Sequence, residues 1–115
     1  MFGERRRVDP AYTAITGVGL ETKSGWAWAN HYPGYDYLFG PVRQINWVIP
    51  PGTTTDPGYT LQDDRCSVFG SYHTNGANFC FSDGSVHFLN QGVPVQTLQQ
   101  LATRAGGEVV DSSQY

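Results

Sequence analysis

Long apolar runs are missing from this sequence of 115 residues. No stretch approaches the length of a membrane span, and nothing near the start reads as a signal peptide. Arg5-Arg6-Arg7 imitates a basic n-region, but Asp9, Pro10 and a mixture of Thr and Gly follow it where an apolar segment would be needed. Charge is scarce too, at 15% of residues. With 7 basic against 10 acidic side chains the net charge is −3, which excludes a broad cationic surface for nucleic acid. Arg5-Arg6-Arg7 is the one cationic run and reads as a solvated patch beside a strand. Repeats, low-complexity tracts and linkers are absent, so residues 1–115 read as one domain with a modest core.

The motifs that announce common enzymes are also missing. There is no Gly-x-Ser-x-Gly elbow, phosphate loop, Gly-x-Gly-x-x-Gly or His-Glu-x-x-His, and no reaction suggests itself, so the expectation is a protein that is not an enzyme. Cysteine is limited to Cys66 and Cys80. A disulfide between them would close a short loop and contribute about 3 kcal/mol in the chain-entropy model, in an oxidising compartment. The alternative is a pair of buried thiols. Zinc is not expected of Cys66, Cys80, His73 and His87, because they lack the closely spaced ligand pairs of structural zinc sites.

What is present is concentrated between Phe69 and Leu89. Asp83-Gly84 supplies a turn between two runs of aromatic and β-branched residues, which reads as a β-hairpin. A two-residue turn there sets Phe81 opposite Val86, Phe79 opposite Phe88, and Cys80 opposite His87. Phe79, Phe81, Val86 and Phe88 would then form one apolar face. Downstream the period changes to helical. Pro94 suits a first turn, and Val95, Leu98, Leu101 and Ala102 recur on one side, predicting a helix over 94–104 with Gly106-Gly107 beyond it. Glu108 to Val110 reads as a last short strand and 111–115 as a tail.

Upstream the pattern is weaker. Residues 1–8 read as a short strand ended by Pro10, 11–24 as loop with a short strand near Ile15 to Leu20, and Gly25 to Asn30 as a strand with Trp26 and Trp28 on one face. Val42 to Ile49 has β-like composition and stops at Pro50-Pro51-Gly52. Thr53 to Leu61 reads as a polar loop with a turn at Asp56-Pro57-Gly58. The central aromatics Trp26, Trp28, Trp47, Tyr32, Tyr35, Tyr37 and Tyr59 suit either a core or a binding surface, with the Tyr32, Tyr35 and Tyr37 loop the candidate for partner contact.

His73, nine intervening residues and Asp83-Gly84, set within Gly70-Ser-Tyr-His and Ala77-Asn-Phe-Cys-Phe-Ser-Asp-Gly-Ser-Val, resemble the C-terminal signature of a bacterial prepilin-like family named for that His-x9-Asp-Gly motif. The resemblance extends to Leu98 through Val110, to Met1 through Arg5 and to Gly25 through Ala29, about half the chain. Members typically open with a prepilin cleavage site and a long apolar helix, followed by a globular domain of unknown function. Met1-Phe2-Gly3-Glu4 departs from that opening. The chain therefore looks like the globular part of a longer protein or an orphan frame that retains it.

The resemblance implies a non-catalytic structural or interaction domain of a type II secretion or pilus-like assembly. Its partners would be other pseudopilin-like subunits or secretion components, its location extracytoplasmic, and its anchor a missing N-terminal helix. Some pseudopilins hold calcium in a C-terminal loop, and Asp56, Asp63, Asp64 and Asp83 are hard oxygen donors of that kind, though no EF-hand pattern accompanies them. No other cofactor is implied. Within the motif, His73, Asp83 and Gly84 read as structural: Asp-Gly is turn chemistry, and His73 precedes another turn-like cluster, Thr74-Asn75-Gly76. The expected fold is α+β, an antiparallel sheet with the helix of 94–104 packed on its apolar face, in a pseudopilin-like globular domain lacking the N-terminal helix. The rival reading is an extracytoplasmic carbohydrate- or polymer-binding module that uses the central aromatics.

Overall fold

A computed structural model describes residues 1–22 and 42–102. Within them the order is strand β1 (Phe2–Gly3), helix α1 (Pro10–Thr16), a 3-10 turn at Leu20–Thr22, helix α2 (Thr60–Cys66), strands β2 (Gly76–Cys80) and β3 (Val86–Asn90), and helix α3 (Val95–Ala102). The expected α+β class is what forms. The three strands make one antiparallel sheet in the order β1-β2-β3, with β2 central.

The hairpin is where expected, but its register is shifted by one residue. Cys80 pairs with Val86, Phe79 with His87, Asn78 with Phe88 and Ala77 with Leu89. The cause is the turn. Gly84 N–H donates to the Phe81 carbonyl at 3.0 Å, Gly84 takes φ +85°, and Phe81 N–H bonds the Ser85 carbonyl at 2.9 Å. A type I turn over Ser82-Asp83 followed by a left-handed glycine inserts one more residue than the two-residue turn. One extra residue exchanges the faces of the second strand. Ala77, Phe79 and Leu89 are therefore buried on the inner face, whereas Val86 and Phe88 stand on the outer face, 66% and 49% exposed. The expected Phe79/Phe81/Val86/Phe88 face does not exist.

The inner face packs a different set of side chains from the one expected. Ala77, Phe79, Leu89, Val93, Leu98 and Ile45 form one buried cluster, edged by Met1, Phe69, Phe81 and Leu101. Leu98 and Leu101 bring α3 onto the sheet, so the helix expected over 94–104 is present over Val95–Ala102, and Leu98 N–H bonds the Pro94 carbonyl at 3.1 Å. Fully burying an aliphatic or phenyl side chain of this kind stabilises by about 1.5–3 kcal/mol, and Phe79, Leu89 and Leu98 are all essentially sealed.

A second cluster lies between α1 and α2. Tyr12, Leu20, Ile49 and Cys66 are buried there, flanked by Ala11, Ile15, Trp47 and Leu61. Here three upstream expectations are corrected. The strand expected over 1–8 is only Phe2–Gly3, and Val8 is exposed. Pro10 does not merely end it: Asp9 caps the helix that Pro10 begins, accepting the N–H groups of Ala11 and Tyr12 at 3.1 and 3.3 Å, so 10–16 is helix and not loop or strand. Val42 to Ile49 makes no strand, because Asn46 turns the chain with φ +66°. The turn at Asp56 does form, with Tyr59 N–H on the Asp56 carbonyl at 3.0 Å, but helix α2 follows it immediately. The strand of Gly25 to Asn30, Arg104, the glycine cap at 106–107, the strand of Glu108 to Val110 and the tail lie outside the described residues.

Candidate functional site

The motif residues sit at the two ends of the hairpin. β2 separates His73, which precedes it, from Asp83, which follows it, by about 15 Å at the rise of a strand. They are not an acid/base pair. Asp83 closes the turn: its carboxylate accepts the Ser85 hydroxyl at 2.7 Å and the Ser85 N–H at 2.9 Å. The Ser85 hydroxyl, and then its backbone N–H, hold the Asp83 carboxyl below the usual aspartate range. Ser85 also meets His87 Nε2 at 3.0 Å, and the His87 ring stands edge-on to Phe81 at 5.1 Å between centroids.

At the other end, loop 70–75 is knitted to the N-terminal segment. Gly70 N–H bonds the Glu4 carbonyl at 2.9 Å, and Glu4 N–H bonds the Asn78 carbonyl at 3.2 Å. The Glu4 carboxylate then uses both oxygens. Oε2 accepts Asn78 N–H at 2.7 Å, and Oε1 faces His73 Nε2 at 3.3 Å. Ser71 fixes the loop from inside, donating to the Gly76 carbonyl at 2.6 Å and accepting His73 N–H at 3.0 Å. Asn46 holds it from the side: its Oδ1 accepts Ser71 N–H at 2.8 Å. The His73 ring thus meets a carboxylate of the N-terminal segment. It also meets Phe88 edge-on at 6.4 Å.

Phe88 packs on Gly76, where an added Cβ would come within 2.7 Å of the ring. The outer sheet face therefore presents Phe88 and Val86 beside the Glu4–His73 pair. Tyr72 is nearby in sequence, 70% exposed, with the Arg6 guanidinium over its ring at 5.1 Å. The cationic run is thus not wholly a solvated patch: Arg6 Nε is buried, and the Arg6 carbonyl receives Arg65 at 3.3 Å.

The remaining candidates are dispersed. No disulfide joins Cys66 to Cys80. The Cys66 thiol is packed against the Tyr12 hydroxyl at 3.7 Å, and the Cys80 thiol points to the Phe81 carbonyl at 3.6 Å. Among the acids proposed for calcium, Asp56 accepts Gln62 N–H at 2.9 Å and Asp64 pairs with Arg43 at 2.7 Å. Together with Asp83 these belong to separate structures, and no group of three or more His, Cys, Asp or Glu converges among the described residues. Trp47 is half-buried against the second cluster, with Arg43 over its ring at 5.1 Å, so it is not an open stacking platform. Tyr59 is exposed. Trp26, Trp28, Tyr32, Tyr35 and Tyr37 lie outside the described residues.

The family model described as "Protein of unknown function (DUF1559)" matches residues 1–96. The chain belongs to that family. The match takes in β1, both helices of the second cluster and the whole hairpin, so the anchoring of the motif loop to Glu4 lies within the shared region. It ends before Leu98, short of the downstream stretch through Val110 to which the motif resemblance extends. Neither a curated protein nor a solved structure matches the chain. Among the described residues no helix is long and apolar enough to cross a membrane.

Proposed function

We propose that this family member is a non-catalytic interaction domain, the globular part of a pseudopilin-like subunit presented outside the cytoplasmic membrane as part of a type II secretion or pilus-like assembly. The observation that carries the reading is the outer face of the hairpin. Val86 and Phe88 are held out to solvent by a turn and a loop whose polar groups serve the backbone. His73, Asp83 and Gly84 shape that face and take part in no chemistry of their own. Large apolar side chains displayed on a rigid strand suit contact with a protein neighbour. Its partners in this reading are other pseudopilin-like subunits or secretion components, and the natural gene product is tethered by an apolar N-terminal helix.

The test is site-specific photo-crosslinking from Tyr72, which is exposed beside the motif loop, in cells that express the natural gene product, combined with fractionation. Adducts with envelope assembly subunits in the membrane fraction are the expected result. Recovery in the cytosol with no envelope adduct defeats the proposal.

A further inference from the structure

The exposed apolar residues of β3 are also the residues whose main-chain groups point out of the sheet. Glu4 N–H bonds the Asn78 carbonyl and Asn78 N–H bonds the Glu4 carboxylate, so the backbone groups of Asn78 face β1. Strand alternation then turns Ala77 and Phe79 toward β3, and their partners Leu89 and His87 back toward β2. Val86, Phe88 and Asn90 are left pointing outward. The Asn90 carbonyl is taken by Val93 N–H at 3.1 Å, whereas β3 has β2 as its one strand neighbour among the described residues. Among the described residues, then, no strand takes the outward N–H and C=O of Val86 and Phe88, and both side chains are exposed.

This edge carries no charged or proline gatekeeper. Val86-His87-Phe88-Leu89-Asn90 contains no Lys, Arg, Asp, Glu or Pro, and no described strand pairs with its outer side. We infer that β3 pairs antiparallel with β3 of a second copy, about a two-fold axis at His87, so that the two sheets become continuous. In that register Val86 lies opposite Phe88 of the second copy and Phe88 opposite its Val86, each exchanging a reciprocal pair of main-chain hydrogen bonds. Aromatic and β-branched residues then meet across strands on the outer face. The register sets no Lys, Arg, Asp or Glu against a like charge, and at the axis the two His87 side chains face each other. Asp83, the charged residue of the turn, falls opposite Gln91 of the second copy, and Gly84 opposite Asn90. The symmetry matches open groups with open groups of the same strand, which is what an isologous interface requires.

The inference deepens the assembly reading above by naming a second copy as one neighbour. It is tested on the full chain by sedimentation equilibrium and by cysteine crosslinking. The expected result is a reversible dimer whose dissociation constant rises by about 2- to 30-fold in Val86→Lys, since one cross-strand pair is lost on each side of the axis. In a Cys80→Ser background, His87→Cys should crosslink to itself under mild oxidation, because residues opposed at a non-hydrogen-bonded site have Cα atoms about 4.5 Å apart, within disulfide reach. Ser82→Cys, exposed at the turn, should not. The crosslink uses an otherwise unaltered β3 edge and so decides the matter even if Val86→Lys fails to fold. A wild-type chain that stays monomeric at the highest attainable concentration overturns the pairing, as does equal crosslinking from Ser82→Cys. Either result leaves envelope crosslinking from Tyr72 free to succeed or fail on its own.

Discussion

The Asp9 carboxylate meets the Arg65 guanidinium at 2.7 Å with both side chains 2% exposed. One carboxylate oxygen caps α1 through Ala11 and Tyr12; the other accepts both Arg65 Nε–H and Ile49 N–H, the latter at 3.1 Å. Arg65 continues to the Arg6 carbonyl. This single contact therefore joins the start of α1, the end of α2, the segment before Pro50 and the segment that leads from β1 to α1.

Removing one partner should be severe. Arg65→Met leaves a buried carboxylate without its cation, and the expected loss is about 3–5 kcal/mol. Asp9→Ala also removes the helix cap, for a loss at least as large. Denaturant unfolding followed by circular dichroism measures both. A cost below about 1 kcal/mol for Arg65→Met would show that the pair is not the tie described.

Tyr12 makes stability fall at high pH. Burial, with the neighbouring Cys66 thiol, pushes its phenol well above the ordinary tyrosine range. The folded pKa is raised, so the contribution is complete below the unfolded value of about 10 and declines as pH rises past it. Phenolate absorbance should show Tyr12 ionising only as the chain unfolds, and Tyr12→Phe should flatten the alkaline fall. A Tyr12 that titrates near pH 10 in the folded chain contradicts its burial against Cys66.

The turn responds to acid in the opposite sense. The folded pKa of Asp83 is depressed by Ser85, so what it contributes is present above the unfolded value of about 4 and is lost as pH falls through the folded one. Carboxyl chemical shifts should place its midpoint below the ordinary range, and Ser85→Ala should bring it back. Gly84→Ala tests the left-handed turn residue: with φ at +85° the substitution should cost about 1–2 kcal/mol. No effect would mean that Gly84 does not take the left-handed conformation described.

The hairpin and α3 were legible because their periods are plain and Asp83-Gly84 marks the turn. The faces were not, since Asp-Gly suits both a two-residue turn and a type I turn ended by a left-handed glycine, and the two differ by one position. Helix α1 hides behind the same kind of ambiguity: Asp9-Pro10 ends a strand as readily as it caps a helix, although cap followed by proline at the first helical position was the signal available. Helix α2 begins after Tyr59, which adopts φ +57° and makes no side-chain cap, so its start carries no ordinary marker. Arg65, Glu4 and Asn46 carry no local signal because each acts on residues distant in sequence, as when Glu4 reaches Asn78.

His73 Nε2 meets Glu4 Oε1 at 3.3 Å, which joins the motif histidine to the N-terminal segment. The pair is solvent-facing, with the His73 side chain 57% and the Glu4 side chain 36% exposed, so the contact itself is worth only about 0–1 kcal/mol. His73→Ala should accordingly be mild. Glu4→Ala should cost more, because it also strips Asn78 N–H and its side-chain amide of their acceptor at the edge of β2. Amide hydrogen exchange at Asn78 distinguishes the two: protection should drop in Glu4→Ala and persist in His73→Ala. If His73→Ala instead lowers protection as strongly as Glu4→Ala, the imidazole and not the carboxylate is what secures β1 to the hairpin.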